Sequence, residues 1–212
     1  MKSALCQSLL LYLVLDPDGC SSDPEAIAQD ALRGGATALQ LRSKTLTDRQ
    51  TLDLAARLAS LCKQHGALFL VNDRLDLALA SGAQGVHLGV DDLPLAAARR
   101  IAGAELIIGY SPENDEQAAA SAGNGADYLG VGPVHGTASK SDAGPPIGLE
   151  TLTRRRHLSG LPVVGIGGIT AANAKPVVDA GACGVAVMSA ITRSADPESA
   201  TRAIADSLRE VR

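Results

Sequence analysis

Eight short apolar runs punctuate the chain, separated by longer segments of helical periodicity. They are 9–15 (LLLYLVL), 38–42 (ALQLR), 68–72 (LFLVN), 85–89 (GVHLG), 106–111 (LIIGYS), 128–132 (YLGVG), 162–167 (PVVGIG) and 184–188 (GVAVM). Within each run the apolar positions are nearly continuous. A strand with one wet face would alternate; continuous runs fit strands covered on both faces in a parallel sheet. The segment 47–66 (TDRQTLDLAARLASLCKQHG) has the spacing of an amphipathic helix, with Thr47 as its cap and Gly66 as its stop. The last segment, from Asp196, predicts a closing helix with Pro197 in its first turn.

Strands alternating with helices predict the α/β class, and the count predicts a closed (β/α)8 TIM barrel formed by the whole chain, 1–212, as a single domain. Sharing 212 residues among eight units leaves about 26 each, at the compact end for this fold. An internal echo supports closure. GGATALQL, SGAQGVHLG, GNGADYLGVG and AGACGVAVM each put Gly-Ala just before an even-numbered run. An open doubly wound sheet is the alternative.

Composition narrows the function. Apolar residues make up 46% of the chain, which suits a globular core; at this size folding removes roughly 70% of the unfolded surface from water. Net charge is −4 and the pI about 5.5, so there is no basic footprint for nucleic acid. The only aromatics are Phe69, Tyr12, Tyr110 and Tyr128, too few for base stacking. Cys6, Cys20, Cys62 and Cys183 form no CxxC pair or metal-spaced cluster, and read as reduced thiols of a cytoplasmic protein. The apolar run after Lys2 could imitate a signal peptide, but it is short and ends in Asp16-Pro17-Asp18, so it reads as a first strand. No run is long enough to span a membrane, so no membrane partner is expected.

In such barrels chemistry sits at the C-terminal ends of the strands. The second run ends in Gln40, Arg42 and Lys44, the third in Asn72 and Asp73, and the fourth leads to Asp91 and Asp92. The fifth ends at Ser111. The sixth opens a long polar loop with His135, Thr137, Ser139 and Lys140; the seventh ends GIGGIT (165–170) and the eighth MSAI (188–191). Gly167-Gly168 lets the backbone approach an anion, and Ser189 adds an amide and a hydroxyl. Asp73 and Asp92 follow adjacent strands, whose ends lie about 5 Å apart. Carboxylates that close suit a shared Mg2+, although either could instead cap the next helix, and strand alternation does not choose between Asp91 and Asp92. Arg42, Lys44 and Lys140 converge like a pyrophosphate clamp. His135 is a candidate base, His87 reads as a packed strand residue, and His65 and His157 read as surface.

The motifs QLRSK, VNDR, GVHLGVDD, IGYS, GADYLGVGPVHGTASK, GIGGIT and GVAVMSAI, in that order, resemble the thiamine-phosphate synthase family from about residue 9 to 205. The resemblance implies a transferase joining a pyrimidine methyl diphosphate to a thiazole phosphate, with release of pyrophosphate and formation of thiamine phosphate. It implies that Gln40, Arg42, Lys44, Asn72, Ser111 and Lys140 hold the pyrimidine diphosphate, with Arg42, Lys44 and Lys140 catalytic. It implies that Asp73 and Asp92 hold Mg2+, and that Thr137, Ser139, Gly168, Met188 and Ser189 hold the thiazole phosphate. The diphosphate would leave first, giving a pyrimidine-stabilised cation that the thiazole nitrogen attacks. The family usually has Glu at Ser43, Gln at Val90, His at Glu113, an aromatic at His135 and Thr at Ser139.

The runner-up is a thiazole tautomerase, an isomerase on a similar barrel, whose catalytic histidine falls at Glu113. Arg42, Lys44, Asp73, Asp92 and Lys140 favour the synthase, because a tautomerase has no diphosphate to clamp. A third reading is a non-catalytic paralogue that binds thiazole phosphate. The expected partners are small-molecule substrates, and a homo-oligomer is compatible with this picture.

Overall fold

The computed structural model describes residues 2–137 and 144–209. Eight parallel strands close on themselves: β1 (Leu11–Leu15), β2 (Ala38–Leu41), β3 (Leu68–Asn72), β4 (Gly85–Leu88), β5 (Ile107–Tyr110), β6 (Tyr128–Val131), β7 (Val163–Ile166) and β8 (Gly184–Val187). Closure is made by β1 against β8, with Leu11 opposite Val185 and Leu13 opposite Val187. This pairing rules out the open doubly wound sheet.

Around the barrel run α1 (Lys2–Ser8), α2 (Pro24–Gly34), α3 (Asp48–His65), α4 (Leu75–Ser81), α5 (Leu95–Ala102), α6 (Asp115–Ser121), α7 (Gly148–Ser159), α8 (Ala174–Asp179), α9 (Ser189–Thr192) and α10 (Pro197–Arg209). Helix α3 starts and stops where its sequence predicts. Thr47 and Gln50 form a reciprocal capping box, and Gly66 takes the left-handed conformation at its end. The Gly-Ala echo has one cause at all four sites. Gly35, Gly82, Gly125 and Gly181 hold φ between 74° and 106°, ending each helix, and the next alanine donates its N–H back to a carbonyl five residues earlier.

The continuous apolar runs are explained by two cores. Along β1, Leu11, Leu13 and Leu15 pack outward under the helices, whereas Tyr12 and Val14 point into the barrel. Strand β3 repeats this, with Phe69 and Val71 outward and Leu68 and Leu70 inward. Inside the barrel, Leu9, Tyr12, Val14, Ala38, Leu68, Leu70, Tyr128, Val164 and Ala186 form one cluster.

The start of the chain differs from expectation. The first strand begins at Leu11 rather than residue 9, and a short helix, α1, precedes it, with its Leu5 packed on the interior cluster. Cys62 is buried in the layer between helices and barrel, where burial pushes its thiol up to about 12. No helix among the described residues is long and apolar enough to cross a membrane.

Candidate active site

Strand alternation puts one set of side chains at the C-terminal mouth. Residues two apart on a strand share a face. Because Val14, Leu70, Tyr128, Val164 and Ala186 point inward, so do their same-parity successors. These include Arg42 beyond Gln40, Asn72, Ser111, Gly130, Ile166 and Met188. A cavity of about 970 Å3 opens there, lined among others by Arg42, Lys44, Asn72, Asp73, Asp92, Ser111, Thr137, Gly168, Met188 and Ser189. Small-molecule pockets usually hold about 300–1,000 Å3, and this one lies at the upper end of that range.

Ten of the expected site residues therefore share one cavity wall. Ser139 and Lys140 lie outside the described residues, although Thr137 and Gly144 on either side of them line the same cavity. Gln40 sits lower. It is 5% exposed, in the barrel interior beside Val14 and Leu70, and its Nε2 donates to the Tyr12 hydroxyl at 2.7 Å.

The cationic edge is braced. Nη1 of Arg42 donates to Oδ2 of Asp16, just beyond β1, at 2.5 Å. Arg155 on α7 is buried. It donates to the backbone carbonyls of Pro112 at 2.8 Å and Glu113 at 2.5 Å, and to Asp115 at 3.3 Å, clasping the loop that follows Ser111. Arg193, after α9, adds a further cation to the lining.

The carboxylates are not helix caps. Helix α4 has Arg74 at its cap position and α5 has Pro94, and neither makes a side-chain cap bond. Asp92 instead accepts the Gly89 N–H at 2.6 Å. Asp73 is the one described non-glycine residue with positive φ, at 63°, and its N–H donates to the His87 carbonyl at 2.8 Å. A residue held there costs roughly 1–3 kcal/mol, and such positions cluster at functional sites. Arg74 turns away, paired with Asp48 on α3 and with Asp76, so it belongs to the outer surface. Asp91 also lines the cavity. No cluster of three or more His, Cys, Asp or Glu residues stands ready for a metal among the described residues. Two carboxylates with no soft ligand fit a hard cation that takes its other ligands from phosphate and water.

Opposite them, Gly167 and Gly168 hold φ of 101° and 63°. A side chain at Gly168 would meet the Gly136 carbonyl oxygen at 2.4 Å and Cβ of His135 at 2.9 Å. The turn is tied by Asn173, whose Nδ2 donates to the Gly168 carbonyl and whose Oδ1 accepts the Thr170 N–H. Helix α9 starts at Ser189, on the neighbouring strand end.

His87 corrects the reading of it as mere packing. It faces the cavity, with Nε2 2.8 Å from the Ser111 hydroxyl and Nδ1 2.8 Å from the Tyr128 hydroxyl. Asp16, Arg155 and Arg193 likewise do not stand out in the sequence, yet the fold brings them to this rim. Asp16 looks like turn punctuation in DPDG, and Arg155 like one of a solvated run in TRRRH. No local signal marks their long-range partners. Nε2 of His135 is buried with no hydrogen-bond partner among the described residues, which gives no support to a base role.

Known proteins resemble this chain over most of its length. The TMP-TENI family profile, described as thiamine monophosphate synthase, matches residues 11–191. The thiamine-phosphate synthase of Roseiflexus castenholzii is 52% identical over 180 residues, covering 85% of this chain and 79% of that protein. The bifunctional thiamine biosynthesis protein ThiM/ThiE of Symbiobacterium thermophilum is 47% identical over 208 residues; the match covers 98% of this chain but only 42% of that longer protein. The solved thiamine phosphate pyrophosphorylase of Pyrococcus furiosus superposes with a TM-score of 0.90 at 39% identity, over 98% of both chains. With its barrel and its sequence in agreement, the chain belongs to the thiamine monophosphate synthase family.

Proposed function

We propose that this chain joins a pyrimidine methyl diphosphate to a thiazole phosphate, giving thiamine phosphate and pyrophosphate. The observation that carries the reading is that these groups share one cavity. Its wall brings a guanidinium and an ammonium group, Arg42 and Lys44, together with two carboxylates, Asp73 and Asp92, and faces them with a glycine turn and Ser189. One half suits a diphosphate and the other a monophosphate.

In this reading Arg42 and Lys44, with Lys140 from the loop after β6, bind the diphosphate and stabilise the charge that develops as it leaves. Asn72 and Ser111 orient the pyrimidine. Gln40 acts from below, through Tyr12. Asp73 and Asp92 would hold Mg2+, whose chemistry when bound is to neutralise diphosphate oxygens. The carbon–oxygen bond to the diphosphate breaks first, and the pyrimidine ring stabilises the resulting cation. Thr137, Ser139, Gly168, Met188 and Ser189 hold the thiazole phosphate so that its ring nitrogen lone pair meets that carbon. No residue needs to act as a strong nucleophile or base; positioning and exclusion of water are sufficient. Substrates of this kind, small and multiply charged, also favour a cytoplasmic location.

The test is direct. Purified chain given both substrates and Mg2+ should form thiamine phosphate, measured by fluorescence after oxidation to the thiochrome. Omitting either substrate should abolish the signal. Failure to form product with all three present would remove the reading.

A further inference from the structure

A line of hydrogen bonds runs through the barrel interior from Gln40 to the cavity. Nε2 of Gln40 donates to the Tyr12 hydroxyl at 2.7 Å, and the Tyr12 and Tyr128 hydroxyls lie 3.1 Å apart. The Tyr128 hydroxyl meets Nδ1 of His87 at 2.8 Å, and Nε2 of His87 meets the Ser111 hydroxyl at 2.8 Å. Four strands contribute before Ser111 is reached at the end of a fifth: β2, β1, β6 and β4, then β5. The backbone makes room for the line. A side chain at Gly109 would strike the Tyr128 ring at 2.2 Å and Nδ1 of His87 at 2.4 Å, and one at Gly130 would press on His87 and Ser111 at 3.0 and 3.2 Å.

Counting protons gives the line a direction. The Tyr12 oxygen accepts from Gln40, so its own proton is free to go to Tyr128. Tyr128 then donates to Nδ1 of His87. That leaves the imidazole proton on Nε2, donated to the Ser111 oxygen. With the Gln40 amide as donor, the reverse order would leave the Tyr12 proton buried without an acceptor, which is costly; it would require the amide to turn over so that Oε1 faces Tyr12. Both phenols are held well above their ordinary pKa by burial, so both keep their protons.

We propose that His87 is a positioning residue that fixes Ser111 as a hydrogen-bond donor aimed into the cavity, toward an acceptor atom of the pyrimidine substrate. The proposal rests on the synthase reading for the identity of that substrate. It places the imidazole proton that faces Ser111 on Nε2, and makes the inner Gln40–Tyr12–Tyr128 series the element that sets this arrangement.

Two measurements test it. Nitrogen-15 NMR of histidine-labelled chain reads the tautomer without any turnover, and the His87 signal is assigned by its loss in His87→Gln. The expected result is a protonated Nε2 and a bare Nδ1; a protonated Nδ1 overturns the proposal. Kinetics of two variants give the second. His87→Phe removes the donor to Ser111 and should raise KM for the pyrimidine diphosphate about tenfold or more. His87→Gln keeps a donor near Nε2 and should recover most of that loss, while KM for thiazole phosphate stays unmoved in both. Equal constants in all three proteins, or a parallel rise in both KM values, overturn the proposal by reducing His87 to packing. If the unmodified chain forms no thiamine phosphate, the synthase reading fails, and the tautomer measurement still decides the hydrogen-bond direction.

Discussion

Arg42 and Asp16 form a nearly buried ion pair across the mouth of adjacent strands, 2.5 Å apart, with side chains only 9% and 13% exposed. A lone guanidinium at the cavity edge could swing among many rotamers. Held by Asp16, it presents its remaining donors in a fixed direction, which is what a planar diphosphate contact needs.

Asp16→Ala should therefore weaken the diphosphate site without touching the other half of the cavity. The expected effect is a fall of about tenfold or more in kcat/KM for the pyrimidine diphosphate, with KM for thiazole phosphate unchanged. Asp16→Asn keeps an acceptor and should fall between the two. Steady-state kinetics varying one substrate at a time would check this, and equal losses on both substrates would contradict it.

Asp73→Asn is an informative change because asparagine tolerates the left-handed backbone that Asp73 holds at φ 63°. The fold should survive, so any loss reports the missing charge. The Mg2+ concentration giving half-maximal turnover should rise several-fold. Chelation of the unmodified enzyme should stop turnover, and added Mg2+ should restore it. An unchanged metal titration for Asp73→Asn would remove that carboxylate from the metal site.

Much of this molecule was legible in its sequence, for physical reasons. The eight runs stood out because both faces of each strand are buried, and α3 because Thr47, Gln50 and Gly66 are local signals. The site residues could be located by counting past strand ends, since alternation aims Arg42, Asn72, Ser111 and Met188 the same way. Pairings between distant elements were not legible. His87 reads as one more position in GVHLG until the barrel brings Tyr128 and Ser111 against it. Asp16 reads as a turn residue until Arg42 reaches it. The seven residues of α1 carry no acidic first turn or basic last turn and merge with the apolar run that follows.

Gly168→Ala addresses the opposite half of the cavity. The position combines φ 63° with a contact of 2.4 Å to the Gly136 carbonyl, so a methyl group must displace the turn. The variant should lose stability by about 1 kcal/mol or more, seen as a lowered Tm. It should also raise KM for thiazole phosphate while that for the pyrimidine diphosphate stays near its original value. A parallel rise in both would place the glycine turn outside the monophosphate site.

Lys140→Ala tests the loop after β6. Turnover with both substrates and Mg2+ should be lost, while calorimetry should still detect thiazole phosphate binding. Normal turnover in this variant would take Lys140 out of the diphosphate clamp.

The central claim is that one rim gathers the departing diphosphate, and a crystal structure with Mg2+, pyrophosphate and thiamine phosphate tests it most directly. The account predicts metal on Asp73 and Asp92, pyrophosphate against Arg42, Lys44 and Lys140, and the thiazole phosphate at Gly168 and Ser189. Pyrophosphate bound away from Arg42 and Lys44, or metal ligated by neither aspartate, would contradict it.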